Sequence, residues 1–168
     1  MDSNVQFDPL ERFSELELLV SKIYFRFSHI FSNRLELRDF WWKMAKEEEQ
    51  HSSVLLACKS LIENYTDESL DPSITRQKAD DVREKLLSFL NKGTPSLSVG
   101  EAFEIAIEIE TSEINDIYSK LLQLAGPKTA RTLEHLAIPG SVQRQELKAA
   151  LHKYCKDDPH ALAAGEQL

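Results

Sequence analysis

Glu48 and His51 stand three residues apart in a stretch whose apolar residues recur at helical spacing. On a helix such an i, i+3 pair meets on one side of one turn. A carboxylate beside an imidazole there can share a proton or grip a metal ion. At ~100° per residue, Leu37, Phe40, Met44, Leu55, Cys58 and Ile62 share one face, with His51 near its centre. Glu47 and Glu48 flank it. Glu110 points along the middle of a second stripe made by Phe103, Ala106, Ile114, Ile117, Leu121 and Leu124. Glu113 follows one turn later and to one side. In a third stripe, Phe13, Leu16, Val20, Ile23, Phe27 and Phe31, Glu17 borders the apolar face two turns before Tyr24.

Acids on inward faces are costly. A buried carboxylate without a partner loses several kcal/mol or keeps its proton. A shared cation compensates several such groups at once. Carboxylate oxygens with one imidazole suit iron, manganese or zinc. Each acid also has a plainer reading. Glu48 and His51 can simply hydrogen-bond, Glu110 can stay protonated or pair with an Arg, and Glu17 can reach the surface. Glu113 reads as structural more readily than as a ligand, and Glu47 as solvated or as an alternative ligand.

The elements that must position these residues are helices throughout. Asp8-Pro9-Leu10-Glu11 carries an N-cap, a Pro at the first position and a capping acid, which predicts a helix over 9–32. A second is expected over 35–64, with Tyr65-Thr66-Asp67 opening a polar connection. Asp71-Pro72 should start a third, ending near Asn91 with Gly93 beyond it. Ser98-Val99-Gly100-Glu101 is another capping box, and its helix should continue to Leu124. Shorter helices follow over 128–137 and 141–154, separated by Ile138-Pro139-Gly140. Residues 1–155 thus read as one domain and 156–168 as a flexible tail. The fold class is all-α, a helical bundle whose long connection over 65–98 carries its own helix.

Composition supports a globular protein with a real core: 168 residues, 42% hydrophobic and 29% charged. Net charge is −8, the wrong sign for a phosphate-gripping groove, so nucleic acid is not an expected partner. No apolar run approaches the ~20 residues of a membrane span, and the polar start lacks a signal-peptide pattern. Cys58 and Cys155 form no metal or disulfide motif. A cytoplasmic protein is expected.

Glu17 with Tyr24, Glu48-x-x-His51 and Glu110-x-x-Glu113 together resemble the rubrerythrin branch of the ferritin-like superfamily. The segment Phe40-Trp41-Trp42-Lys43-Met44-Ala45-Lys46-Glu47-Glu48-Glu49-Gln50-His51 carries most of the resemblance. It implies a ferritin-like four-helix bundle around a non-haem di-iron centre. Glu17 would be a terminal ligand, Glu48 a shared ligand and His51 a ligand to one iron. Glu110 would take the partner role in the second half, and Glu113 would ligate on a change of oxidation state. Peroxide- or dioxygen-linked redox activity, an external electron donor and a homodimer follow from the same likeness.

The chain departs from that pattern in its last long helix. Aligning the two halves sets the second Glu-x-x-His on Gly140-x-x-Gln143, where Ile138-Pro139-Gly140 also breaks the helix. Glu146 falls on the outer side, Glu134-His135 comes too early, and no rubredoxin-type Cys-x-x-Cys extension is present. Two functions therefore stand open. One is an iron-binding, rubrerythrin-like protein with an incomplete site. The other is a ferritin-like module whose degenerate site leaves it a structural or interaction role. The inward acids and centred histidine favour metal binding, at a mononuclear or incomplete site.

Overall fold

The computed structural model describes residues 7–62, 70–92 and 96–168. Among them the regular structure is entirely helical. The chain runs through α1 (Pro9–Ile30), α2 (Leu35–Leu61), α3 (Arg76–Asn91), α4 (Val99–Glu110), α5 (Ile114–Gln123), α6 (Pro127–Glu134), α7 (Gly140–Tyr154) and α8 (Pro159–Ala164). A 3₁₀ turn over Gly165–Gln167 closes it. None of these helices is long and apolar enough to cross a membrane.

Local chemistry sets most boundaries. The Asp8 side chain accepts from the Glu11 amide at 3.1 Å, and Pro9 occupies the first turn of α1. Ser98 and Glu101 complete the capping box that starts α4. The third helix begins later than Asp71-Pro72 suggests. The Asp71 side chain accepts instead from the Ser73 amide in a local turn, and Thr75 caps α3. A short polar side chain that can bond its own backbone favours a turn over helix propagation. The expected connection at Tyr65-Thr66-Asp67 and the expected stop at Gly93 lie outside the described residues.

Helices α1 and α2 pack along one another, and α3 lies on α1. Arg26 of α1 secures α3 by donating to the terminal carbonyls of Phe89 and Leu90. Helix α4 packs on α7 and α8, while α5 reaches α1, α2 and α6. The centre is aromatic. Trp41, fully buried, sits 5.7 Å from the Tyr24 ring, 5.0 Å from Phe27 and 4.9 Å from Phe103, centroid to centroid. Trp42 points outward. The two neighbouring tryptophans thus divide, Trp41 in the core and Trp42 at the surface.

Two further expectations are corrected. The helix expected over 98–124 is interrupted between Glu110 and Ile114. There the Thr111 and Ser112 hydroxyls bond back to the Ile107 and Ile109 carbonyls at 2.7 and 2.6 Å. Asn115 Nδ2 donates to the Glu110 carbonyl at 3.1 Å. Side chains that compete for helix carbonyls bend or end a helix.

The last residues, expected as a tail, carry α8. Asp158 caps it, and Ala161 and Gly165 are buried. A Cβ on Gly165 would run into the buried Leu151 side chain of α7, which would have to move to admit it. Gly165→Ala should therefore cost about 1–3 kcal/mol by overpacking, read as a lower denaturation midpoint in urea. An unchanged midpoint would mean that the C-terminal segment does not dock.

Candidate metal centre

Four helices deliver polar side chains to one interior region. Glu17 comes from α1, Glu48 and His51 from α2, Glu110 from the last turn of α4 and Gln143 from the first turns of α7. All five are nearly or fully buried. One ligand atom each from Glu17, Glu48 and His51 lies within 4.8 Å of the other two, a spacing that one metal ion can bridge.

His51 is held at both nitrogens. Nε2 donates to the Ile138 carbonyl at 2.8 Å, and Nδ1 faces Glu48 Oε2 at 3.1 Å. A carbonyl only accepts, so the Nε2 proton is assigned and Nδ1 is left to face the acids. The Ile138 carbonyl is free because the chain is not helical there. The Val142 and Gln143 amides bond the Pro139 carbonyl instead. The break in helical structure before α7 thus supplies a backbone acceptor for the histidine. Burial opposes a charge on His51, but the Glu48 hydrogen bond and carboxylate, then Glu17 and the Ile138 carbonyl, push its pKa up to about 10.

The acids differ in how they are satisfied. Glu48 Oε1 accepts from Gln143 Nε2, so both its oxygens have donors. Glu110 receives the Tyr24 hydroxyl at 2.6 Å on Oε1 and Asn115 Nδ2 at 3.2 Å on Oε2. Burial and the Glu48 charge push Glu110 up to about 7 against those two hydrogen bonds. Glu17 is the exception. Its Oε1 is buried without a hydrogen-bond partner, and burial followed by the Glu48 charge holds its carboxyl well above the usual range.

Other expected residues fall elsewhere. Glu113, in the break after α4, is exposed and pairs with Lys78. Glu47 is buried but turns toward Lys43, whose Nζ lies 3.5 Å from Oε1. Glu146 also pairs with Lys43 and stays out of the group. Gln143 does reach inward, where the comparison of halves sets the missing motif. Neither Asn115 nor the Ile138 carbonyl stands out in the sequence, since a lone Asn reads as a solvated turn residue and every residue carries a carbonyl. Tyr118 packs its ring 4.9 Å from His51, and its hydroxyl is buried without a partner.

No family model matches this chain, and no curated protein or solved structure is significantly similar to it. What the site can do rests on its own chemistry. Two carboxylates and an imidazole nitrogen in a closed, acidic interior can hold either protons or one divalent cation.

The proton-loaded state has a defined pH signature. Glu110 titrates at about 7 in the folded chain against an ordinary value of 4.5. Its contribution to stability is therefore full below 4.5 and lost as pH rises through 7. His51 acts in the same direction at higher pH, from 6.5 up to about 10. Metal-free protein should lose stability between pH 5 and 8, and Glu110→Gln should remove much of that slope. Urea midpoints across this range check it; a slope identical in the variant would refute the assignment to Glu110.

Proposed function

We propose that this protein binds one divalent transition-metal ion, iron foremost, between Glu17, Glu48 and His51. The observation that carries the proposal is the Glu17 carboxylate. It is buried with one oxygen unpartnered, beside another carboxylate and a histidine whose far nitrogen is already anchored. A histidine ligand whose other N–H donates to a carbonyl is oriented and made more basic for a metal. Manganese and zinc suit the same donors.

A complete di-iron centre fits these residues poorly. Glu48 Oε1 is engaged by Gln143, both Glu110 oxygens by Tyr24 and Asn115, and Glu113 by Lys78. Helix α7 contributes an amide where a second acid would be needed. The reading is a rubrerythrin-like, ferritin-like bundle reduced to a mononuclear site. Glu17, Glu48 and His51 hold the ion, while Tyr24 and Asn115 fix Glu110 beside it. A bound iron would supply one-electron chemistry with peroxide or dioxygen, drawing on an external donor. Loading requires the Nδ1 proton of His51 to leave, so affinity rises with pH.

A second reading has its own support. His51 and Glu48 satisfy one another directly, and Gln143 stands in place of an acid, as in a scaffold that has given up its metal for a structural or interaction role.

Thermal unfolding with and without added Fe(II), kept anaerobic, separates the two. At a hundredfold excess over Kd, binding adds about 2.7 kcal/mol, or roughly 5–10 °C in Tm for a chain of this size. Glu17→Gln should match or exceed the wild type without metal, because an amide stays neutral at a site where burial already opposes the Glu17 charge, yet gain nothing on loading. A wild type that retains no metal and shows no shift with Fe(II), Mn(II) or Zn(II) would sustain the scaffold reading.

A further inference from the structure

A cleft of about 320 Å³ opens between α5, the end of α6 and the start of α7, and His51 lies at its inner end. His51 is otherwise sealed, with 2% of its surface exposed. Glu17 and Glu48 do not line the cleft. The histidine ring therefore stands between the cleft and the carboxylates. Its Nε2 bond to Ile138 closes the inner end, and the Tyr118 ring packs against it.

We infer that this cleft is the entrance by which a divalent cation reaches Glu17, Glu48 and His51, an inference that rests on the metal-binding reading above. Three observations point the same way. Volume is the first. Six waters at about 30 Å³ each occupy about 180 Å³, so a hydrated ion fits. The second is charge. Asp116 and Glu134 line the cleft near its mouth, both exposed, against Arg144 there and His51 at the inner end, with His135 also in the lining, and the interior beyond is rich in acids. Carboxylates at the mouth of a low-dielectric cleft raise local cation concentration and speed its association. The third is the inner door. Ile138 lies outside any helix, and its carbonyl takes the His51 bond while the α7 amides bond Pro139 instead. Moving it breaks one bond, and the Tyr118 hydroxyl offers a polar atom along the way.

The test separates rate from affinity, using Co(II) and the intrinsic fluorescence of the whole chain. Ser119→Phe places a ring in the cleft from an exposed position on α5, away from the three ligands. It should slow Co(II) association at least tenfold while leaving the equilibrium Kd within about twofold. Asp116→Asn with Glu134→Gln should slow association severalfold at low salt, and the difference should vanish in concentrated salt. The second variant decides the matter alone if the first does not fold. Unchanged association in the folded variants overturns the entrance and leaves the metal site standing. No Co(II) bound by the wild type at equilibrium overturns both. Inorganic phosphate binding that Arg144→Gln abolishes would make the cleft an anion site and overturn its assignment to cations.

Discussion

Negative charge placed inside an apolar bundle is the constraint to which the rest of this structure answers. Glu17, Glu48 and Glu110 come from α1, α2 and α4, whose buried faces are otherwise mostly apolar, with serines and Glu47 as the exceptions. Water cannot solvate them there, so the chain must bring its own donors. Tyr24 and Asn115 do so for Glu110, and Gln143 and His51 do so for Glu48. These donors come from α1, α2, α5 and α7, which makes the polar interior a device for fixing the relative position of helices as well as a candidate site. Of these three acids Glu17 keeps a buried oxygen without a hydrogen-bond partner.

Much of this was legible in the sequence, because burial and helical period leave a direct trace. Glu17, Glu48, His51 and Glu110 were identified as inward by their angle to the apolar stripes, and all four are buried. The starts of α1 and α4 follow from Asp8-Pro9 and from the Ser98–Glu101 box. What did not show was competition among local hydrogen bonds. Thr111, Ser112 and Asn115 are tolerable helix residues singly, and only together, beside a buried Glu110, do they end α4. Glu113 then leaves the face that an unbroken helix would have given it. The docking of α8 was hidden for another reason. It depends on Gly165 approaching Leu151 across the fold, and no periodicity encodes that.

The irregular stretch before α7 shows how one sequence feature can act in two ways. Read along the chain, Ile138-Pro139-Gly140 is an interruption between α6 and α7. Read in space, it frees a carbonyl for His51 and opens a cleft beside that residue. Proline removes an amide from the backbone, and an unclaimed carbonyl nearby becomes a ligand for a side chain. A break in regular structure is thus compatible with a more organised histidine.

Ile138 and Gln143 lie five positions apart on one segment, and each is fastened to α2, one through His51 and the other through Glu48. The segment leading into α7 is therefore latched to α2 at two points. Both latches run through side chains that would also serve a cation. A rotation of α7 would strain both bonds at once. Helix α8 packs in turn on α7. The buried polar group thus doubles as a fastening for the C-terminal helices.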